Sequence, residues 1–255
     1  MCLILIAYGA HPDFPLIIAA NRDEYYARPT AKAGYWSDYG QILAGRDLEC
    51  MGTWLGVTRS GRFAALTNFR DPRERKTDAP SRGQLVKEFL VSDLDPGAFF
   101  DQVRTGAPRY NGFNLLAGDA AGVYCFSSRD ATVQQLLPGL HGLSNHLLDT
   151  PWPKVVRGKR RLQQALARGP DPDSLLELLG DREPAHESEL PDTGIGAELE
   201  RVLSPALIVS PQYGTRASTA VLFGGDGYVS FTERTILPGG NIGPSVSLGF
   251  MLQQH

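Results

Sequence analysis

Cys2 stands directly after Met1, and that position offers a complete nucleophilic device in one residue. Removal of Met1, which a side chain as small as cysteine permits, leaves a thiol and a free α-amine side by side. Their reference pKa values, about 8.5 and about 7.7–8.0, are close enough for the amine to take the thiol proton near neutral pH. Such a nucleophile needs no catalytic histidine. The plain alternative is a cysteine that merely begins a strand.

Acyl transfer also needs donors for an oxyanion and a group that orients the amine. The segment Asn21-Arg22-Asp23-Glu24 directly follows the apolar run Pro15 to Ala20. Within it, Asp23 is the candidate acceptor for the ammonium, and Arg22 is the candidate to hold Asp23 or a substrate carboxylate. Asn68 and Asn145 each end an apolar run, where an asparagine either caps a turn or aims its amide at a common point. Arg216, just before a strand-like run, is the candidate that closes the cluster. His11, in the loop between the first two apolar runs, is a candidate ligand or gate. The expected catalytic set is therefore Cys2, Asp23, Asn68, Asn145 and Arg216. Asn21, Arg22, Glu24 and His11 are expected to bind substrate.

Strands must position most of these residues. Leu3–Tyr8 and Pro15–Ala20 are short apolar runs joined by a loop, and an antiparallel pairing brings Cys2 and the polar segment to one end of a sheet. Thr53–Thr58 and Arg62–Asn68 read as a second hairpin around a Gly-containing loop. Gly52-Thr53-Trp54-Leu55-Gly56 is read as packing within it. Helical spacing appears behind Ser81, from Pro96 to Val103, and after Pro153. In the last of these, Val155, Val156, Leu162 and Leu166 are expected on one face and the basic residues Arg157, Lys159, Arg160 and Arg161 in water. Strand candidates return at 206–209, 217–223, 228–232 and 245–251. Strands at both ends with helices between, and no β-α-β alternation, predict an α+β fold in one domain, 1–255.

Composition sets the outer bounds. The chain has 255 residues, 42% hydrophobic and 21% charged, with a net charge of −3. That is the make-up of a globular core and gives no electrostatic case for binding nucleic acid. No apolar run approaches a membrane span and no signal peptide is recognisable. Cys2, Cys50 and Cys125 are an odd, widely spaced set, which argues against a disulfide framework or a zinc site and for a reducing cytoplasm. The five histidines show no metal spacing, and the glycines at 224–227 read as a turn, not a phosphate loop.

The ordered motifs carry a resemblance. Asn21-Arg22-Asp23-Glu24, Gly52-Thr53-Trp54-Leu55-Gly56, Leu66-Thr67-Asn68-Phe69, Ser81-Arg82-Gly83, Gly142-Leu143-Ser144-Asn145, Trp152-Pro153-Lys154 and Tyr213-Gly214-Thr215-Arg216 span nearly the whole chain. With them the sequence resembles the NRDE family, also called the transport and Golgi organisation protein 2 family. That family in turn is similar to the N-terminal nucleophile hydrolases of the bile-salt hydrolase and penicillin V acylase type. The resemblance implies a four-layer αββα sandwich and an N-terminal cysteine that acts as an amidohydrolase or acyltransferase on a non-peptide C–N amide bond of a small molecule. It implies Cys2 as nucleophile, Asn68 and Asn145 as oxyanion donors, and Arg216 as the late site arginine. The hydrolases space their early arginine and aspartate three apart, whereas here Arg22 adjoins Asp23 and Ala20 stands three before it. The family's association with haem trafficking and lipid homeostasis implies an alternative, a carrier of haem or an acyl lipid without a catalytic cofactor.

Overall fold

A computed structural model describes residues 2–74, 76–119 and 122–253. Met1, whose removal the chemistry above requires, lies outside the described residues. The chain begins with β1 (Cys2–Tyr8) and β2 (Leu16–Tyr25), and then builds β3 (Thr30–Tyr35), β4 (Ile42–Asp47), β5 (Leu55–Thr58) and β6 (Phe63–Asn68). Helices α1 (Gly83–Val91) and α2 (Pro96–Gly106) follow, then β7 (Phe113–Asp119), β8 (Gly122–Ser127), β9 (Thr132–Gln135) and β10 (Gly139–Leu143). The last part holds α3 (Pro153–Arg168), α4 (Pro172–Leu178), α5 (Ala197–Val202), β11 (Tyr213–Phe223), β12 (Tyr228–Leu237) and β13 (Asn241–Met251).

These elements form two compact units: Met1–Ala27 with Pro138–Phe250, and Arg28–Leu137 with Met251–His255. The first holds a six-stranded sheet in the order β10-β1-β2-β11-β12-β13. β1 is apolar along both faces and buried from Cys2 to Ala7, as a central strand must be. One face is covered by helices, because Leu3, Leu5, Ala7, Ile17 and Ala19 pack with Val155 and Leu162 of α3 and with Leu175, Leu176 and Leu178 of α4. Proline at the first helical position opens α3. Gly158 of α3 lies so close to Leu5 that an added Cβ would stand 2.8 Å from its Cδ1.

The second unit is a seven-stranded sheet whose spatial order, β3 to β9, is also its chain order. Its helical cover is α1 and α2, whose Leu85, Val86, Phe89, Leu90, Phe99 and Phe100 pack with Ile42, Ala64, Phe113 and Phe126. Asp95 caps α2 by accepting from the Ala98 N–H at 3.0 Å. Gly52 and Gly83 let two of the family motifs meet backbone to backbone: the Thr53 N–H donates to the Gly83 carbonyl at 3.1 Å. A Cβ on Gly52 would stand 2.5 Å from the Gly83 carbonyl carbon.

The α+β class is as expected, and each unit is an antiparallel sheet with helices on one face. Three local expectations are corrected. β2 does not end at Ala20 but continues through Asn21, Arg22, Asp23 and Glu24, because β11 pairs with it to Tyr25 and Ser218 and Thr215 satisfy the Asn21 and Asp23 side chains. Residues 206–209 are not a strand; only Val209 bridges, to Gly214. On α3, Val156 is 52% exposed while Lys154 is buried, its Nζ donating to the Leu203 carbonyl at 3.0 Å. The basic side of α3 is also not left to water alone. Lys159 binds Asp149 at 2.7 Å, and Arg157 and Arg161 approach Asp181 at 3.4 and 3.6 Å.

Candidate active site

Cys2 begins β1, flanked by β2 on one side and by the chain leaving β10 on the other. It is a free thiol, 9% exposed. Its direct cross-strand partner is Arg22, so the two side chains share a face of the sheet. Burial pushes the Cys2 thiol up. The Asp23 carboxylate adds to that rise, while the Asp23 backbone N–H and the Arg22 charge favour the thiolate.

Strand alternation divides the polar segment between two faces. Asn21 turns to the helix-covered side, where its Nδ2 donates to the carbonyls of Leu179 at 2.9 Å and Ala206 at 2.8 Å. Its Oδ1 accepts from Ser218 Oγ at 2.6 Å. Asp23 takes the same side. Its Oδ1 accepts from Thr215 Oγ1 at 2.6 Å, and Thr215 in turn accepts from the Ile208 N–H at 2.9 Å. Tyr213 donates its hydroxyl to the Asp23 carbonyl at 2.9 Å. Arg22, buried at 5% exposure, turns the other way, to Cys2. The one-residue spacing of Arg22 and Asp23 therefore keeps the facing, though not the position, of a three-residue spacing. Both separations are odd, so both place arginine and aspartate on opposite faces. The contraction moves the guanidinium along the strand by one same-face position, roughly 7 Å. Glu24 is half-buried, and its Oε1 accepts from the Tyr25 N–H at 2.9 Å.

Asn145 is fully buried in the turn after β10. The preceding residue ties this turn to the nucleophile: Ser144 Oγ lies 3.2 Å from the Cys2 carbonyl oxygen, to which it donates, and 3.3 Å from Asn145 Oδ1. Asp149 closes the turn in the left-handed conformation, φ 58°. Its Oδ1 accepts from the Gly142 N–H at 3.0 Å and from Lys159 Nζ at 2.7 Å, and its Oδ2 meets His141 Nδ1 at 2.8 Å. Burial pushes the Asp149 carboxyl up, but the hydrogen bonds from His141, Lys159 and Gly142 outweigh it and hold the group at about 2. Sequence reading left Ser144, Thr215 and the His141–Lys159 clamp out of the site, although Ser144 and Thr215 stand inside the quoted motifs.

Arg216, Asn68 and His11 are the remaining candidates. Arg216 is the extra residue of a bulge between β11 and β2, and its Nη1 donates to the Tyr25 carbonyl at 2.8 Å. Asn68 ends β6 in the second unit, opposite Phe113. His11 sits in the hairpin loop at the far end of β1, where its ring meets Phe14 at 5.3 Å and its Nδ1 accepts from the Asp13 N–H at 3.2 Å. About six strand residues, roughly 20 Å, separate that loop from Cys2. The two therefore do not fit as joint ligands of one haem iron. Among the described residues no group of three His, Cys, Asp or Glu side chains is arranged to hold a metal ion. Among them, too, no helix is long and apolar enough to cross a membrane.

The family model for Transport and Golgi organisation 2 matches residues 1–238. The Transport and Golgi organization protein 2 homolog of Bos taurus is 39% identical over 261 residues, covering 93% of this chain and 94% of that protein. The Homo sapiens homolog is 37% identical over 259 residues, with the same coverage. Among solved structures, the C2A mutant of conjugated bile acid hydrolase from Clostridium perfringens superposes with a TM-score of 0.52 at 9% identity, covering 97% of this chain and 92% of that one. At that identity the likeness is one of fold alone.

Proposed function

We propose that this chain, which belongs to the Transport and Golgi organisation 2 family, is an N-terminal cysteine amide hydrolase or acyltransferase acting on a small-molecule C–N amide. The observation that carries the reading is the placement of Cys2. It is a buried thiol beside the Arg22 cross-strand position, and Ser144 joins its carbonyl to the turn that bears Asn145.

With Met1 removed, the Cys2 α-amine takes the thiol proton and the thiolate attacks the amide carbonyl carbon. The Asn145 amide stabilises the oxyanion, and Asp23 holds the ammonium. The intermediate collapses as the ammonium returns its proton to the leaving nitrogen, releasing the amine and leaving a thioester on Cys2. Water or another acceptor, deprotonated by the same amine, attacks the thioester and frees the acyl group. Arg22 and Arg216 are the cationic groups for the substrate, with Asn21 and Glu24 acting through the strand that carries them. A reducing compartment such as the cytoplasm keeps the thiol free.

Intact-mass spectrometry of the purified protein, before and after exposure to a panel of N-acyl amides, tests this. The expected result is a chain beginning at Cys2 that gains one acyl group there and releases it slowly. A chain that retains Met1 would overturn the mechanism, because the base would no longer sit on the nucleophilic residue. Unhydrolysed haem or acyl lipid held without any adduct would favour the carrier reading instead.

A further inference from the structure

Two neighbouring cross-strand rows run over the face of the sheet that carries Cys2. The first is Cys2, Arg22, Ala217 and Thr235; the second is Ile4, Ala20, Thr219 and Glu233. Partners within a row share a face, and so do residues two apart on one strand. Glu233 therefore faces the same side as Arg22, two strands and one row away, roughly 12 Å between Cα atoms. Ala20, Ala217 and Thr219 stand between them, so only small side chains occupy the path.

Both ends of that path are charged and buried, Arg22 at 5% and Glu233 at 4% exposure. Charges this deep are stable only when opposite charges or dipoles answer them. Among the nearer charges, Glu24 shares the face of Arg22 but is only half-buried, and its Oε1 accepts from the Tyr25 N–H; alternation removes the others. Asp23 turns to the other face and binds Thr215. Arg234, next to Glu233, also points away and binds Asp173 at 2.9 Å. We propose that Glu233 pairs with Arg22 across Ala217 and is the positioning residue that holds the guanidinium beside the Cys2 thiol. Its catalytic meaning rests on the reading of Cys2 as nucleophile; the pairing itself does not.

The test is alkylation of Cys2 by iodoacetamide in the full chain, followed peptide by peptide by mass spectrometry from neutral to alkaline pH. Glu233→Gln leaves the Arg22 charge unopposed, lowers the apparent Cys2 pKa and raises the rate near neutral pH about three- to tenfold. Arg22→Gln lowers the rate, and in that background Glu233→Gln has no further effect. An effect of Glu233→Gln that persists without Arg22, or no effect at all, overturns the pairing. Should Glu233→Gln fail to fold, recovery of the fold in the Arg22→Gln, Glu233→Gln double variant supports the pair, and failure to recover overturns it. Absent amide turnover in every variant with the coupling intact would count against the proposed activity alone. Turnover with no coupling would count against Glu233 alone.

Discussion

Cys2 and Arg22 stand directly opposite each other on β1 and β2, while Asn21 and Asp23 on either side of Arg22 turn to the other face of the sheet. A run of four polar residues is thus two sets with different work: one faces the thiol, the other fastens the strand.

Asn145→Ala is expected to slow acylation of Cys2 by about 10²–10³-fold, the usual cost of one oxyanion donor. Alkylation of Cys2 by a small reagent, which needs no oxyanion donor, should stay nearly unchanged. Stopped-flow acylation beside iodoacetamide kinetics checks this, and parallel losses in both would point to a displaced turn instead.

Asn21→Ala should cost about 2–4 kcal/mol of stability, since it strips the buried Leu179 and Ala206 carbonyls and the Ser218 hydroxyl of their partner. Urea unfolding measures it. Cys2 alkylation in the folded variant should match the parent chain, because Asn21 lies on the opposite face.

Gly52→Ala places a methyl within 2.6 Å of the Gly83 carbonyl oxygen. Both sides of that contact are backbone, so neither can swing aside. A loss of about 1–3 kcal/mol or more is expected, seen as a lower Tm. An unchanged Tm would mean the two motifs are not in backbone contact.

The Asp149 carboxyl, held at about 2, titrates below its unfolded value of about 3.9. A group depressed in this way contributes stability that is present above the unfolded pKa and lost as pH falls through the folded one. Thermal melts should therefore fall from about pH 4 towards pH 2, and Asp149→Asn should flatten that part of the decline. Asparagine tolerates the φ of 58° at this position. Asp149→Ala adds backbone strain of about 1 kcal/mol and should melt lower at every pH.

The motifs made the fold and the position of Cys2 legible, because a continuous apolar run next to a polar one carries both pairing and register. What could not be read was which side each residue takes. Asn21, Arg22 and Asp23 look alike as a polar patch, and only the register against β1 and β11 separates them. His11 misled through nearness in the chain, since a hairpin carries its loop away from its open end. Lys154 gave no sign of burial within its motif, yet its ammonium finds the Leu203 carbonyl 49 residues later. Glu233 carried no signal at all, because nothing in its neighbours announces a buried charge before the strands are paired.

The two sheets also differ in when they can exist. In the seven-stranded sheet each strand pairs with the one made just before or after it. β2, by contrast, must wait for β11: Asp23 and Tyr213 meet across 190 residues. At ribosomal speeds that is a delay of roughly 10 to 40 s, during which the apolar flank of the β1–β2 hairpin has no native cover. The seven-stranded sheet should therefore be able to form on the ribosome while the strand bearing the nucleophile is still half of a hairpin. Chains ending before residue 213 are expected to hold a folded meander beside an aggregation-prone amino terminus.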